Sequence, residues 1–72
     1  MKYAVAEKFA GHAIEYITTN SGNWLDLLNE TSKNKNDAYK YNTKKEAEEA
    51  MLKFIKDAGD MYNGALLVKG IR

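Results

Sequence analysis

The sequence predicts an α+β fold, in which one long amphipathic α-helix packs on one face of a small, mostly antiparallel β-sheet of three to four strands. Three segments indicate this fold: an alternating stretch at residues 2–9, a capped helical pattern at residues 44–58 and an apolar run at residues 65–71. The expected order of elements is strand, strand, short strand, helix, strand. We expect the 72 residues to form one domain, 1–72.

The first two strands are predicted at residues 2–9 and 12–19, with Gly11 in the turn between them. The same stretch has apolar residues at helical spacing, so a helix is the alternative. Gly11 favours the hairpin, because a glycine inside a helix costs about 1 kcal/mol relative to alanine. A turn is predicted at residues 20–23, and residues 24–28 are short enough for either one helical turn or a strand fragment.

The second half of the chain is predicted to begin with a polar loop at residues 32–37, followed by a short alternating strand at residues 38–41. That strand leads into the helix. A second turn is predicted at residues 63–64, where asparagine precedes glycine. The closing strand at residues 65–71 is expected to be buried on at least one face.

The predicted helix has the clearest start and stop signals in the chain. Thr43 and Glu46 have capping-box spacing, in which the hydroxyl accepts from the amide of Glu46 and the carboxylate reaches back to the amide of Thr43. Gly59 is typical of the position after a helix end. Leu52 lies off the apolar stripe. The stripe expected to face the sheet consists of Ala47, Ala50, Met51, Phe54, Ile55 and Ala58.

Composition limits the possible functions. The chain has no cysteine, which excludes disulfides and thiolate metal sites, and its formal net charge is only +1 at pH 7. It has no long apolar run and no apolar signal-peptide core, so we expect a cytoplasmic protein that makes no membrane contact. A core this small commonly needs a further source of stability. Because disulfides are excluded, we expect a partner chain or self-association to provide it. No cofactor is expected.

Catalytic and metal-binding groups are sparse. His12 is the only histidine, and Glu15 lies three positions on, where it could orient the imidazole if the stretch were helical. On strands these two side chains point to opposite faces, so a small enzyme built on His12 and Glu15 is the weakest of the functional hypotheses. Glu46, Glu48 and Glu49 are interpreted as a cap and a solvated helix face rather than as a cation site.

The leading functional hypothesis is a non-enzymatic protein-interaction module that binds another protein or forms a homodimer. The chain has more large apolar side chains than one helix on one small sheet needs, and an exposed apolar patch is typical of protein contacts. The residues predicted to form the contact are Trp24, Leu25, Leu28 and Leu52.

The alternative hypothesis is a nucleic-acid-binding module. Residues 33–45 contain five lysines against one aspartate, and two tyrosines alternate with the lysines. Such a segment could stack bases and contact phosphates. On a strand, however, the two tyrosines share a face and could simply pack under the helix. The residues predicted for this role are Lys33, Lys35, Tyr39, Lys40, Tyr41, Lys44 and Lys45.

Nearly the whole chain resembles the layout of small uncharacterised proteins encoded by bacteriophages. The segments that carry the resemblance are Tyr3-Ala4-Val5, Glu15-Tyr16-Ile17, Trp24, Ala38 with Tyr41, Thr43-Lys44, Glu46-Ala47-Glu48 and the last hydrophobic strand. The resemblance implies a phage accessory protein that binds and modifies a host factor in the host cytoplasm. It transfers no catalytic residue to this chain.

Overall fold

The structure, a computed structural model, describes residues 1–9, 11–61 and 65–72. It confirms the α+β class: a four-stranded antiparallel sheet carries one long helix. The spatial strand order is β3-β2-β1-β4. In chain order the elements are β1 (Lys2–Lys8), β2 (Glu15–Ile17), α1 (Asp26–Asn29), β3 (Thr31–Ser32), a 3-10 turn (Lys35–Asp37), α2 (Lys44–Ala58), a second 3-10 turn (Gly59–Met61) and β4 (Ala65–Ile71).

The chain begins with the hairpin rather than the alternative helix. β1 pairs antiparallel with β2, and a turn at Gly11 follows β1, where the amide of His12 donates to the carbonyl of Phe9 at 3.0 Å. The second strand is much shorter than the predicted residues 12–19, because only Glu15–Ile17 belongs to it. The open question at residues 24–28 is answered by α1, a single helical turn.

The position of the third strand was predicted wrongly. The third strand is Thr31–Ser32. Ser32 belongs to the predicted loop of residues 32–37, and Thr31 directly precedes it. Residues 38–41, which were predicted as the strand, form none. Tyr41 makes only an isolated bridge, in which Tyr3 and Tyr41 exchange backbone hydrogen bonds of 2.9 and 2.7 Å. The bridge lies on the same side of β1 as β2. There is room for it beside Tyr3, because β2 pairs only with Ala6 and Glu7. The predicted turn at residues 63–64 lies outside the described residues.

Helix α2 has the predicted bounds and the predicted cap. The amide of Glu46 donates to the hydroxyl of Thr43 at 3.1 Å, but the carboxylate of Glu46 accepts from that hydroxyl instead of from the threonine amide. Gly59 ends the helix at a positive φ of 55°, a conformation that glycine adopts without the steric cost of a Cβ. The predicted stripe is correct except for Ile55, which is 42% exposed.

The helix covers only one face of the sheet. The larger core cluster lies between α2 and this face, where Val5, Ile17 and Phe54 are almost completely buried. Opposite residues of an antiparallel pair share a face, so the pairing of Val5 with Val68 places both under α2. A smaller cluster of Ala4, Ala38 and Ile71 lies on the other face.

Candidate interaction surfaces

The first apolar surface surrounds α1, which the chain reaches after β2. Leu28 is 61% exposed and Leu25 is also exposed, while Trp24 is half-buried against the main core. Two contacts fix this segment to α2: the amide of Trp24 donates to Oδ2 of Asp57 at 2.9 Å, and Gly22 lies beside the Cβ of Lys53. The α1 segment therefore lies along the Lys53 and Asp57 side of the helix.

A second apolar surface lies on the other side of α2. Ile55 is two residues from both Lys53 and Asp57, so about 160° separates it from each around the helix. Residues 22–24 follow β2, on one side of β1, and β4 lies on the other side. This flank therefore faces the β4 side of the sheet. We call it the α2 outer flank, and its apolar members are Met51, Leu52 and Ile55.

The four residues predicted for protein contact consequently do not form one patch. Trp24, Leu25 and Leu28 lie with α1. The α1 segment meets α2 at Lys53, and the exposed Leu52 points about 100° away from Lys53 around the helix axis, toward the other flank. Sequence spacing alone could not separate them, because it gives the direction of each side chain on its own helix but not the side on which the next element packs.

The predicted basic segment is also divided. Lys33 and Lys35 are exposed around the first 3-10 turn, and Lys44 and Lys45 are exposed in the first turn of α2. The ammonium group of Lys40 donates to the carbonyls of Asn36 and Ala38 at 2.9 and 3.2 Å, so it stabilises its own loop. The lysines of the basic segment are therefore divided between the first 3-10 turn and the start of α2, and they do not line one groove.

The two tyrosines of this segment have different environments. Tyr41 is only 8% exposed and its hydroxyl donates to Oδ1 of Asn20 at 2.8 Å, while Tyr39 is 42% exposed. Their ring centroids are 4.9 Å apart. Burial, with a smaller contribution from Tyr39, raises the pKa of Tyr41 to about 12. Only Tyr39 therefore offers an exposed ring for stacking.

A surface pocket of about 290 Å³ lies beside these rings, at the start of α2. Its charged lining residues are balanced, since Lys40 and Lys53 are accompanied by Glu46 and Glu49. The remaining lining residues are Asn20, Tyr39, Tyr41, Asn42 and Ala50. Mixed charge of this kind suits a small polar ligand, but it gives no preference for a phosphate chain.

The edge strand β4 presents free backbone groups. Tyr3 exchanges hydrogen bonds with Tyr41 on the β2 side of β1, so the even-numbered residues of β1 direct their backbone groups toward β4. Their partners in β4 are Ala65, Leu67, Lys69 and Ile71. The amides and carbonyls of the intervening residues therefore point away from the sheet, and we call Leu66, Val68 and Gly70 the β4 outer edge.

In the described part of the chain this edge has no bulge, no proline and no strand paired with it; its protection is limited to Lys69 on β4 and to the thioether of Met1, which lies against Gly70. The pairing of β1 with β4 continues through seven residues without a bulge, and the sequence has no proline. No hydrogen bond of the described residues reaches the β4 outer edge from another segment. The opposite edge is different, because β3 has only two residues. Long unprotected edge strands are templates for pairing with another chain.

The face of the sheet away from α2, which we call the open sheet face because α2 does not cover it, is buried at Ala4, Ala6 and Ile71 and exposed at Lys2 and Lys8. Among the described residues, its only charged strand residues are Lys2, Lys8 and Lys69, because Glu7 and Glu15 lie on the helix face. The strand residues of the open sheet face are Lys2, Ala4, Ala6, Lys8, Tyr16, Ser32, Ala65, Leu67, Lys69 and Ile71.

His12 and Glu15 are not assembled into a site. His12 is exposed in the turn after β1, and the carboxylate of Glu15 accepts a 3.0 Å hydrogen bond from the hydroxyl of Thr31. Within residues 1–9, 11–61 and 65–72, no group of three or more potential metal-binding side chains occurs. No helix in the same residues combines the length and the apolar character needed to cross a bilayer.

Sequence reasoning missed the β4 outer edge and the open sheet face. The absence of proline from the closing strand was a signal for the first, but strand order cannot be read from periodicity. Comparisons with known proteins add no further guide to either surface, since no protein-family model, curated protein or solved structure matches the chain.

Proposed function

We propose that this protein is a non-enzymatic protein-interaction module and that the β4 outer edge is its binding element. The observation that supports the proposal is the set of outward amides and carbonyls at Leu66, Val68 and Gly70, to which no residue in the described ranges is hydrogen-bonded. An extended segment of a partner can add to such an edge as a further strand, gaining main-chain hydrogen bonds along its length.

The side chains of β4 favour the same use. Leu66, Leu67 and Val68 are only half-buried in the chain on its own, so an added strand would remove more of their apolar surface from water. Burial of apolar surface contributes roughly 25 cal/mol per Å². A domain of 72 residues has a thin core and gains proportionately from such a supplement.

Affinity capture from a lysate of the source cell tests the proposal with three baits: the wild-type chain, Val68→Pro and Leu28→Lys. The amide of Val68 points outward, so proline there removes an edge donor without breaking the pairing with β1. Leu28→Lys changes an exposed leucine of the α1 surface and leaves β4 intact. We expect a captured protein that is lost with Val68→Pro and retained with Leu28→Lys.

The reverse pattern would move the binding element to α1 and contradict the edge proposal. Circular dichroism of each bait checks that it is folded. Mass spectrometry of nuclease-treated and untreated samples separates proteins that bind directly from those that arrive through a nucleic acid.

A second candidate function is binding of single-stranded nucleic acid on the open sheet face. The specific observation is that, among the described strand residues, Lys2, Lys8 and Lys69 are the only charged ones there and that Tyr16, opposite Ala6, is on the same face. Lysines neutralise phosphates and an aromatic ring stacks on bases. These residues differ from the basic segment predicted from the sequence.

A fluorescence titration with single-stranded RNA and DNA, at low and high salt, tests this second candidate. We expect micromolar binding that weakens with salt and that Lys8→Gln with Lys69→Gln reduces. The matched control is Lys33→Gln with Lys35→Gln, which removes the same charge from the 3-10 turn region. An equal loss in both double variants would point to net charge alone and would contradict a site on the open sheet face.

A phage accessory role and a location in the host cytoplasm also remain proposals. The resemblance of the sequence layout supports them, and identification of a bacterial protein in the capture experiment would support them further.

A further inference from the structure

We infer that the strand added to the β4 outer edge is β4 of a second copy of this chain, related by a two-fold axis that passes midway between the two Val68 residues. The inference rests on the proposed function and specifies its partner. It joins two four-stranded sheets into one continuous sheet, with both α2 helices on the same side.

The pattern of free backbone groups on β4 matches itself in one antiparallel register. Outward-directed groups occur at Leu66, Val68 and Gly70. When Val68 faces Val68 of the partner, Leu66 faces Gly70 of the partner, and every outward residue meets an outward residue. Each such pair exchanges two hydrogen bonds, giving about six in total. A shift of one residue pairs outward groups with inward ones, and a shift of two residues loses one pair.

The side chains in this register are compatible. On the helix face Val68 packs beside its equivalent, and Leu66 lies opposite Gly70, against which the Met1 thioether of the same chain packs, so Leu66 meets an apolar side chain there. On the open sheet face Leu67 lies beside Lys69 and Ala65 beside Ile71, so the only charged residue of β4 lies next to an apolar one. No two like charges face each other directly across the new ladder.

The α2 outer flank lies over the same side of the sheet and supplies an independent observation. Helix α2 packs on β1 and β4, so its axis is about one strand spacing from the two-fold axis, and the two helices would lie about 10 Å apart. That separation is typical of packed helices. Leu52 is 58% exposed and Ile55 is 42% exposed in the single chain. In the dimer both side chains face the partner's helix.

One contact with a second copy therefore accounts for two features that the single chain leaves unexplained. It pairs the outward backbone groups of β4. It also buries Ile55, the one residue of the predicted apolar stripe that does not face the sheet of its own chain. The α1 surface plays no part in this contact, because it lies on the opposite flank of α2.

Sedimentation equilibrium measures the association directly. We expect the wild-type chain to dimerise and Val68→Pro or Ile55→Lys to raise the dissociation constant about tenfold or more. Leu28→Lys is the matched control, since it places the same charge on an exposed leucine of the α1 surface, and we expect its dissociation constant to stay within about twofold of wild type. Equal weakening by Leu28→Lys and Ile55→Lys would contradict the interface.

Cysteine cross-linking tests the register, because the natural sequence has no cysteine. Leu67 and Lys69 of the partner form a pair that is not hydrogen-bonded, in which the side chains lie close. A mixture of Leu67→Cys and Lys69→Cys chains should form a disulfide-linked heterodimer under mild oxidation. A mixture of Leu67→Cys and Leu25→Cys chains is the control and should not. A stable dimer without the first cross-link would overturn the register.

A synthetic peptide of residues 65–71 distinguishes failure of this inference from failure of the proposed function. Titration of the labelled protein with the peptide, followed by amide chemical shifts, reports on whether the edge accepts a strand. A monomeric chain whose Leu66, Val68 and Gly70 amides shift with the peptide would retain the edge function and overturn self-pairing. A monomeric chain that ignores the peptide would overturn both.

Discussion

The backbone amide of Trp24 donates a 2.9 Å hydrogen bond to Oδ2 of Asp57, and this bond joins the α1 segment to the last turn of α2. The same segment also meets the helix through the close approach of Gly22 to Lys53 and through Trp24 and Leu27, which pack with Phe54 in the main core. At Gly22 a positive φ of 72° turns the chain toward α2, a conformation that residues with a Cβ rarely adopt. The bond thus fixes the side of the helix on which α1 packs.

Replacement of Asp57 should loosen α1. We expect Asp57→Ala to lower the free energy of unfolding by about 1 kcal/mol, because the Trp24 amide loses a charged acceptor at an exposed site. Asp57→Asn keeps an acceptor and should cost less. Urea unfolding measures the free energy, and Trp24 fluorescence reports on the local environment. Equal stability of all three chains would contradict an anchoring role.

The cap of α2 gives a second stability prediction. Thr43→Ala removes the hydroxyl that accepts from the amide of Glu46 and donates to its carboxylate, so we expect a loss of about 1 kcal/mol. Thr43→Ser retains the hydroxyl and should remain near wild type. Thermal unfolding followed by circular dichroism compares the variants, and a serine variant as unstable as the alanine variant would argue against capping.

Leu27 and Leu28 are neighbours in α1 with opposite environments. Leu27 is 1% exposed and Leu28 is 61% exposed, so Leu27→Ala should cost about 3 kcal/mol through lost burial and a cavity, while Leu28→Ala should have little effect. Chemical denaturation of the matched pair checks this. Similar losses for both would mean that α1 packs with a different face toward the core.

Stability should also fall at alkaline pH through Tyr41. Its pKa is raised to about 12 in the folded chain, mainly by burial, from 10.0 in the unfolded one. The neutral phenol is therefore favoured by folding, and its contribution is present in full below pH 10 and is lost as the pH rises toward 12. Unfolding measured across this range should show a smaller decline for Tyr41→Phe. Identical slopes for the two chains would contradict the prediction.

The sequence specified the helix more completely than the sheet. Residues 44–58 carry local signals for both ends, because a cap and a terminal glycine act within a few residues. The third strand had no such signal. Thr31–Ser32 pairs with β2 after α1 turns the chain back. The alternating residues 38–41 form no ladder; they are held by the bridge between Tyr41 and Tyr3 and by the hydrogen bond from the amide of Tyr39 to the carbonyl of Ile17.

The candidate surfaces were predicted less well for a related reason. Leu52 was correctly placed off the apolar stripe, yet its separation from Trp24 depends on which flank of α2 the α1 segment covers. Ile55 fits the periodic pattern, but it lies on the flank of α2 above the edge strand β4. No further strand lies beyond β4 to cover the side chain. The free edge of β4 follows from strand order, and strand order results from long-range pairing that no short pattern encodes.

The shortness of β3 determines how far association through the sheet can proceed. With only two residues, Thr31–Ser32 offers too little backbone for another strand to pair stably, so each protomer has a single productive edge. If two copies pair through β4 as we propose, no equivalent site remains for a third. The chain would therefore form a closed pair rather than a growing fibre, even at high concentration.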